Sequence, residues 1–384
     1  MTVTQISIGR FHHFHLARQM EKHNLLDCIW TGYLRYKLRD EQGIPADKIC
    51  TFPWLHSPYM ARGRYGMAHW MWLNREWRWW AQETLDRYVA SHLKHPTTLI
   101  ALSGTGLHAG MSAQRNGGRY VCDRGSSHIR FQDQLLREEY KRWGLVFEGI
   151  DPRIIAKEEA EYEQADLITV PSEFVRKSFI EMGVPAHKLS KVVYGARLDR
   201  FHKVADQPKD KFTVLWVGSV GIRKGFLDLY EAFRALKHPQ KELIVVGEVE
   251  VEMKSLISSK DLTGITFMGS VPNQDLPRIY STAHVFVLPS IEDGFGMVQG
   301  EALACGCPVI ASSNTGAEDL FTDGVEGFIV PIRSPKHICE RLQQLADDPV
   351  LQSQLSEAAI SRVAALKGWD TYGNTFANVL TTML

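Results

Sequence analysis

The chain has 384 residues, 44 basic and 44 acidic, and 44% of it is hydrophobic. That length exceeds an ordinary single core and fits two domains. The balanced charge excludes a global field for nucleic acid, and no apolar run reaches the roughly 18 residues of a membrane-crossing helix. The opening MTVTQISIGRFHHFHLARQ lacks a signal peptide's apolar core, so a cytoplasmic protein is expected, with peripheral contact to the inner membrane face as an option. Cysteines stand at 28, 50, 122, 305, 307 and 339, and only Cys305 and Cys307 are close in sequence. They read as small buried hydrophobes in a reducing compartment, and no second Cys or His pair at ligand spacing suggests zinc. In chain order, TQISIG (4–9) predicts a first strand and HFHLARQMEKHN a helix. TTLIALSG (97–104), GRYVCDRG (118–125) and ADLITVPS (165–172) predict later strands. The stretch 191–211 is polar with little periodicity and suits a linker. Beyond it, FTVLWVG, ELIVVG, ITFMGSV, HVFVLPS, PVIASS and GFIVP alternate with helical segments such as FLDLYEAFRAL. Apolar β-branched runs alternating with helices imply parallel sheets covered on both faces. The expected fold class is α/β. Two Rossmann-like doubly wound domains, 1–192 and 193–366, face each other across a cleft. A last amphipathic helix (367–384) packs back on the first.

The segment IEDGFGMVQGEALACG places Asp293 and Glu301 eight residues apart around a glycine-rich turn that leads into a helix. Such a loop lies at the carboxyl end of a parallel strand, where doubly wound folds bind ligands. Gly294 and Gly296 allow close backbone approach, and the unpaired N–H groups of the helix start favour an anion or sugar oxygens. Glu301 can accept two hydrogen bonds from a cis-diol such as ribose, and Asp293 can hold a second polyol. Diol, phosphate and sugar together describe a nucleotide sugar. The bland alternative is an acidic residue favoured by the helix dipole and a solvated Glu.

These motifs resemble the family 4 glycosyltransferases, whose architecture is GT-B. PSIEDGFGMVQGEALACGCPVIAS resembles that family's E-x7-E segment. VGSVGIRKGFLDLYEAF resembles its phosphate-binding segment. ITVPSEFVRKSF and VVYGARLDRF resemble the pieces that flank its hinge, and NTGAEDLFTDGVEGFIVP the segment that closes its nucleotide pocket. The resemblance implies that Glu301 holds the ribose and that Lys224 neutralises the diphosphate. It implies that Asp293, with the backbone of Phe295 and Gly296, holds the transferred sugar. Gly294, Met297 and Val271 join the implied donor site. Asp293 stands where the family usually has Glu, and Ser219 where it usually has a phosphate-binding Arg; Arg223 can supply that charge. The family is retaining and generally uses no metal, so no cofactor is expected beyond a UDP- or GDP-linked sugar as substrate.

On the other wall, Gly9 matches the family's glycine-rich turn, and His12, His13 and His15 follow it. Histidines near a helix start are usually solvated or capping. In GRYVCDRGSSHIRFQ the family often has a His at the strand end; here Asp123 occupies it and His128 follows five residues later. Either can orient the acceptor hydroxyl or steady the charge at the anomeric carbon. Arg124 or Arg130 can hold an acidic acceptor group or pair with Asp123. The alternative for this loop is a cap bonded to local backbone N–H groups.

HWMWLNREWRWW carries five tryptophans within residues 70–80. On a helix Trp70, Leu73, Trp77 and Trp80 share one face that can be core, and Trp72 and Trp79 project opposite, near Arg75. With Arg62, Arg64 and Arg78 nearby, the second face suits an anionic membrane interface, a second buried contact, or a platform for a soluble acceptor. The combined expectation is a retaining hexosyltransferase acting on a glycan or lipid-linked glycan, with cell-surface polysaccharide or glycolipid synthesis as its setting. The alternatives are an epimerase or sugar-phosphate-using synthase of the same architecture, or a non-catalytic donor-binding subunit. A nicotinamide dehydrogenase is disfavoured, because no G-x-G-x-x-G follows a strand with an acidic residue about 20 residues on.

Overall fold

A computed structural model describes residues 2–65, 70–195, 200–366 and 368–383. Thirteen strands form two sheets among these residues. The first holds β1 (Val3–Ser7), β2 (Leu26–Thr31), β3 (Ile49–Thr51), β4 (Thr98–Leu102), β5 (Arg119–Asp123), β6 (Leu167–Val170) and β7 (Leu189–Lys191), in the order β3-β2-β1-β4-β5-β6-β7. The second holds β8 (Phe212–Val217), β9 (Lys241–Val246), β10 (Ile265–Gly269), β11 (Val285–Leu288), β12 (Val309–Ser312) and β13 (Gly327–Val330), in the order β10-β9-β8-β11-β12-β13. Every pairing is parallel. Both sheets change direction beside their first strand, which opens the crevice that ligands use in such folds.

The alternation of side chains divides each sheet between two cores. Leu99, Ala101, Tyr120 and Cys122 enter one cluster, while Ile100 and Val121 enter the opposite one. Trp216, Val285 and Val287 face one side of the second sheet, and Leu215, Phe286 and Leu288 the other. Burial on both faces explains why these strands read as continuous apolar runs. β2 is a strand that the apolar-run criterion does not find. Its sequence LDCIWT is buried in part only, so it lacks the signature of a central strand. β3 and β7 are three-residue edge strands, too short to show periodicity. Cys28 on β2 and Cys50 on β3 lie within hydrogen-bonding reach of each other, a contact the 22-residue spacing does not reveal.

Between β7 and β8 the described residues hold no helix or strand; residues 196–199, within the expected linker, lie outside the described residues. The last helix, Gly368–Thr382, packs on the helix His13–Lys22. Tyr372, Phe376 and Leu380 enter the first sheet's core, and Gln19 Nε2 donates to Asp370 Oδ1 at 2.8 Å. A Cβ at Gly373 would strike the Gln19 side chain, so glycine sets the closeness of that crossing.

Candidate active site

The second sheet supplies one wall. After β8 the chain turns through residues 218–225 into the helix Phe226–Ala235. Gly225 has φ 73°, and a Cβ there would overlap the Pro289 carbonyl oxygen. Glycine therefore lets the phosphate-loop candidate lie against the loop after β11. Within that turn Lys224 Nζ pairs with Asp293 Oδ2, and both side chains keep some exposure, 17% and 15%. Arg223 Nη1 donates to the Glu292 carbonyl oxygen at 3.1 Å and to its carboxylate at 3.2 Å. Burial opposes the Arg223 charge, and Glu292 and Asp293 more than offset it, so the guanidinium is held above its ordinary pKa. Ser219 bonds Glu250, whose pKa burial raises.

The loop carrying Asp293 is fastened by the short turn, Ser313–Thr315, that follows β12. Asp293 N donates to Asn314 O at 2.9 Å, Gly296 N to Thr315 O at 3.0 Å, and Asn314 Nδ2 to Ile291 O at 2.9 Å. Buried Gln299 ties Gly296 O and Thr315 O together. Phe295 points its ring into the core, edge-on to Tyr194 with centroids 5.7 Å apart, which leaves its backbone as the part able to meet a ligand. Glu301, on the helix Met297–Ala304, accepts from the Tyr280 hydroxyl at 3.2 Å. Met297 is 44% exposed, and Val271 lies half-buried beyond β10. Arg223, Lys224, Asp293, Gly294 and Gly296 are thus brought together.

The first sheet supplies the other wall. Asp123 ends β5 and is buried. His12 Nε2 bonds its Oδ2, His13 Nε2 lies 3.0 Å from the same oxygen, and Thr169 Oγ1 donates to Oδ1 at 2.6 Å. Burial alone would raise the Asp123 pKa; the two histidines outweigh it and hold the carboxyl well below the usual range. Asp123 is closed in rather than facing the cleft, which corrects the expectation of direct contact. His12 stands in front of it, stacked on Tyr194 with centroids 4.3 Å apart. His12, Tyr194 and Arg124 line a cavity of about 500 Å³ with His56, Tyr59, Arg78, Ser103 and Glu158. A sequence signal for His12 exists, its place after β1, but its partner lies 111 residues away.

Other expectations are corrected too. His128 does not reach this cavity: its Nδ1 caps the helix Ile129–Arg142 by accepting from Arg130 N at 3.3 Å, and its ring packs on Tyr162 and Phe179. Burial lowers its pKa to about 4, consistent with an uncharged acceptor nitrogen. Neither nearby arginine pairs with Asp123. Arg124 bonds Glu158 at 2.6 Å, and Arg130 bonds Glu159 at the surface. Gly9 is not open to a ligand, because the exposed ring of Phe11, at φ 26°, lies over the place where a Cβ would stand. His12, His13 and Asp123 hold their ligating atoms within 4.8 Å of one another, as do Glu83, Asp86 and His108. In the second group Lys157 Nζ already supplies the cation, 2.9 Å from Glu83 and 2.8 Å from Asp86.

The tryptophan helix, Met71–His92, keeps its apolar wheel in part: Leu73 and Trp77 are half-buried, and Ala81, Leu85 and Val89, which continue their i, i+4 row, are buried. Trp79 lies under Arg153 and Lys157, at 5.2 and 5.9 Å, and Glu76 pairs with Arg153. Cation–π and ionic contacts with the helix Pro152–Gln164 therefore hold the Trp79 side against the protein as well. Arg75 sits 3.8 Å from Glu148 and Asp151. Trp70 and Trp80 of the expected core face are exposed at 56 and 52%, which corrects that expectation for these two, and Trp72 is exposed at 69%, as the opposite face requires. His69 and the side chain of Arg64 lie outside the described residues.

Comparison with known proteins adds to this geometry. Residues 199–362 match the family model described as glycosyl transferases group 1. The capsular polysaccharide biosynthesis glycosyltransferase CapM of Staphylococcus aureus is 31% identical over 174 residues, 43% of this chain and 44% of that one. The lipopolysaccharide 1,2-N-acetylglucosaminetransferase of Salmonella typhimurium is 28% identical over 232 residues, 54% and 60% of the two chains. The chain thus spans about half the length of these curated relatives. Sucrose-phosphate synthase from Thermosynechococcus elongatus superposes with a TM-score of 0.75 at 19% identity, covering 100% of this chain and 99% of that one. Anabaena HepE, solved with UDP and glucose, superposes with a TM-score of 0.70 at 17% identity, covering 100% of each. Among the described residues, no helix is long and apolar enough to cross a membrane. Residues 199–362 thus resemble the group 1 glycosyltransferases, and the chain has the GT-B-like fold of two parallel α/β sheets.

Proposed function

We propose that the protein is a retaining glycosyltransferase that moves a hexose from a UDP- or GDP-linked donor to a glycan or lipid-linked glycan acceptor in cell-surface polysaccharide synthesis. The observation that carries this reading is the Lys224–Asp293 pair on the loop that runs into the helix of Glu301, opposite a cavity headed by His12. Glu301 accepts the ribose hydroxyls. Asp293 and the backbone at Phe295 and Gly296 hold the sugar, and Lys224 and Arg223 face the diphosphate. UDP bound to a chain of the same fold, HepE, makes UDP-sugars the first donors to test.

In the reaction the bond from the anomeric carbon to the β-phosphate oxygen breaks, and its electron pair stays on the phosphate. The acceptor oxygen bonds the anomeric carbon on the same face, and its proton passes to the departing phosphate. Negative charge grows on the diphosphate, where fixed cations at the cleft edge lower the barrier most. His12, steadied by Asp123 and Tyr194, orients the acceptor hydroxyl; Asp123 acts through His12 as a positioning residue.

The helices His56–Ala61 and Met71–His92 line the cavity and carry exposed Met60, Trp72 and Trp80. These side chains suit an acceptor held at a membrane surface. Sedimentation with anionic liposomes tests that part, and no co-sedimentation would retire it. Nucleotide release from UDP-, GDP- and ADP-sugars, by wild type and Glu301→Ala, tests the whole. The expected result is slow hydrolysis of one donor that the substitution abolishes. Nucleotide binding with no turnover in the presence of any glycan acceptor would favour a donor-binding subunit instead.

A further inference from the structure

Glu292 precedes Asp293 but points away from the donor side, and its side chain has no exposed surface. Its Oε1 accepts from Ser127 N at 3.0 Å and from Ser127 Oγ at 2.9 Å. Its Oε2 accepts from Gln132 Nε2 at 2.8 Å and from Arg223 Nη1 at 3.2 Å. Three of these donors belong to the first sheet's wall, and the fourth to the phosphate-loop candidate. Gln132 Oε1 in turn accepts from Arg124 Nη2 at 3.1 Å, and Arg124 reaches Glu158 and Ser103 in the acceptor cavity. A Cβ at Gly294 would overlap the Gly125 carbonyl oxygen, and Ser172 Oγ donates to Gly294 O at 2.7 Å, so the two loops are pressed together beside this carboxylate.

The polarity of the chain makes it a relay. Only an acceptor at position 292 satisfies both sides. An amide there would set its NH2 against Ser127 N–H or against the Gln132 and Arg223 donors. Were Gln132 to flip in response, its own NH2 would face the Arg124 guanidinium, and the conflict would move into the acceptor cavity. Buried networks of this kind act as units, and half-satisfied ones are costly. The Arg223 side chain is 38% exposed, so its outer edge remains available to an anion while its inner edge holds Glu292.

We propose that Glu292 is a positioning residue that aligns the acceptor cavity with the donor loop through the relay Arg223–Glu292–Gln132–Arg124. The inference rests on the reading that Arg223 meets the donor diphosphate. Nucleotide at Arg223 then strengthens acceptor binding, and acceptor strengthens nucleotide binding by the same factor.

The test compares the full-length wild type with Glu292→Gln and with Gln132→Ala, the latter a half-buried neutral change that serves if the first variant misfolds. Hydrogen exchange over residues 124–132 is followed with and without UDP. Transfer and donor hydrolysis are counted separately, with the donor and acceptor the wild type uses. UDP should protect 124–132 in wild type, and both variants should lose that protection. The transfer-to-hydrolysis ratio should fall about 10-fold, with the acceptor KM raised and the donor KM within about threefold. Retained UDP protection in the variants would overturn the relay. Equal losses of transfer and hydrolysis would overturn it as well, because they mark a brace for the fold. If wild type bound UDP but turned over no donor, the functional reading would fall, and the exchange arm would still decide whether UDP and residues 124–132 are coupled through Glu292.

Discussion

The two walls of the cleft use an aspartate at the end of a parallel strand in opposite ways. Asp293 meets Lys224 in a loop where both side chains touch solvent, so a ligand can compete for either partner. Asp123 is enclosed by His12, His13 and Thr169 and is 2% exposed. An ion pair at a solvent edge is weak and exchangeable, whereas breaking a buried one leaves an uncompensated charge. Similar positions in the topology therefore yield a solvent-edged carboxylate on one wall and an enclosed one on the other.

The largest expected effect tests the exchangeable wall. On the proposed reading, in which Lys224 meets the growing diphosphate charge, Lys224→Ala should lower kcat/KM by about 10²–10³-fold. Steady-state transfer assays read this, and a loss below about threefold would break the comparison. Next comes the enclosed wall. His12→Ala and Asp123→Asn should each cost about 10–10²-fold in transfer. If Asp123 acts through His12, the double variant should be no worse than His12→Ala. Additive losses would mean that Asp123 meets the substrate itself.

A smaller effect concerns stability and pH. His128 is buried, with a folded pKa near 4 against about 6.5 in the unfolded chain. Between those values the unfolded state binds a proton that the folded state refuses, so stability falls as pH drops from 6.5 towards 4. His128→Asn keeps a neutral cap acceptor and escapes this penalty. Urea unfolding at pH 7 and 4.5 should show the variant gaining about 2 kcal/mol on wild type over that interval. A constant difference would contradict the buried, neutral cap and reopen His128 as an exposed group. The smallest effect separates two tryptophans. Trp72→Ser should change stability by less than about 0.5 kcal/mol. Trp79→Ser should cost more than about 1 kcal/mol, since it loses two cations over its ring. Equal costs would mean that the cations over Trp79 do not hold that ring in place.

Much of the second wall was legible in the sequence because its parts are local. A strand, a glycine turn and a helix follow one another, and the parallel fold carries such loops to one edge. Asp293, Gly294, Gly296 and Glu301 fall in nine consecutive residues, and Arg223 and Lys224 in one turn. The first wall was less legible because its contacts are distant. Asp123 could be placed at a strand end, but not its enclosure by residues 111 positions earlier and 46 later. His128 looked equally available until packing turned it into a cap. In the tryptophan segment the wheel placed Leu73 and Trp77 inward, but only Arg153 and Lys157 of another helix drew Trp79 in and left Trp70 and Trp80 exposed. Glu292 was indistinguishable from its acidic neighbour until the other wall supplied three donors.

By itself the sequence determined the two-sheet α/β architecture, the return of the last helix and the make-up of the loop around Asp293. These follow from side-chain periodicity and from short-range rules of glycine turns and helix starts, which act within one segment. Only the tertiary structure decided which carboxylate is enclosed, which histidine faces the cavity, which tryptophans reach solvent and how the walls are tied through Glu292. Each of those outcomes depends on desolvation and on partners brought together across the fold, and neither is a property of any stretch of chain alone.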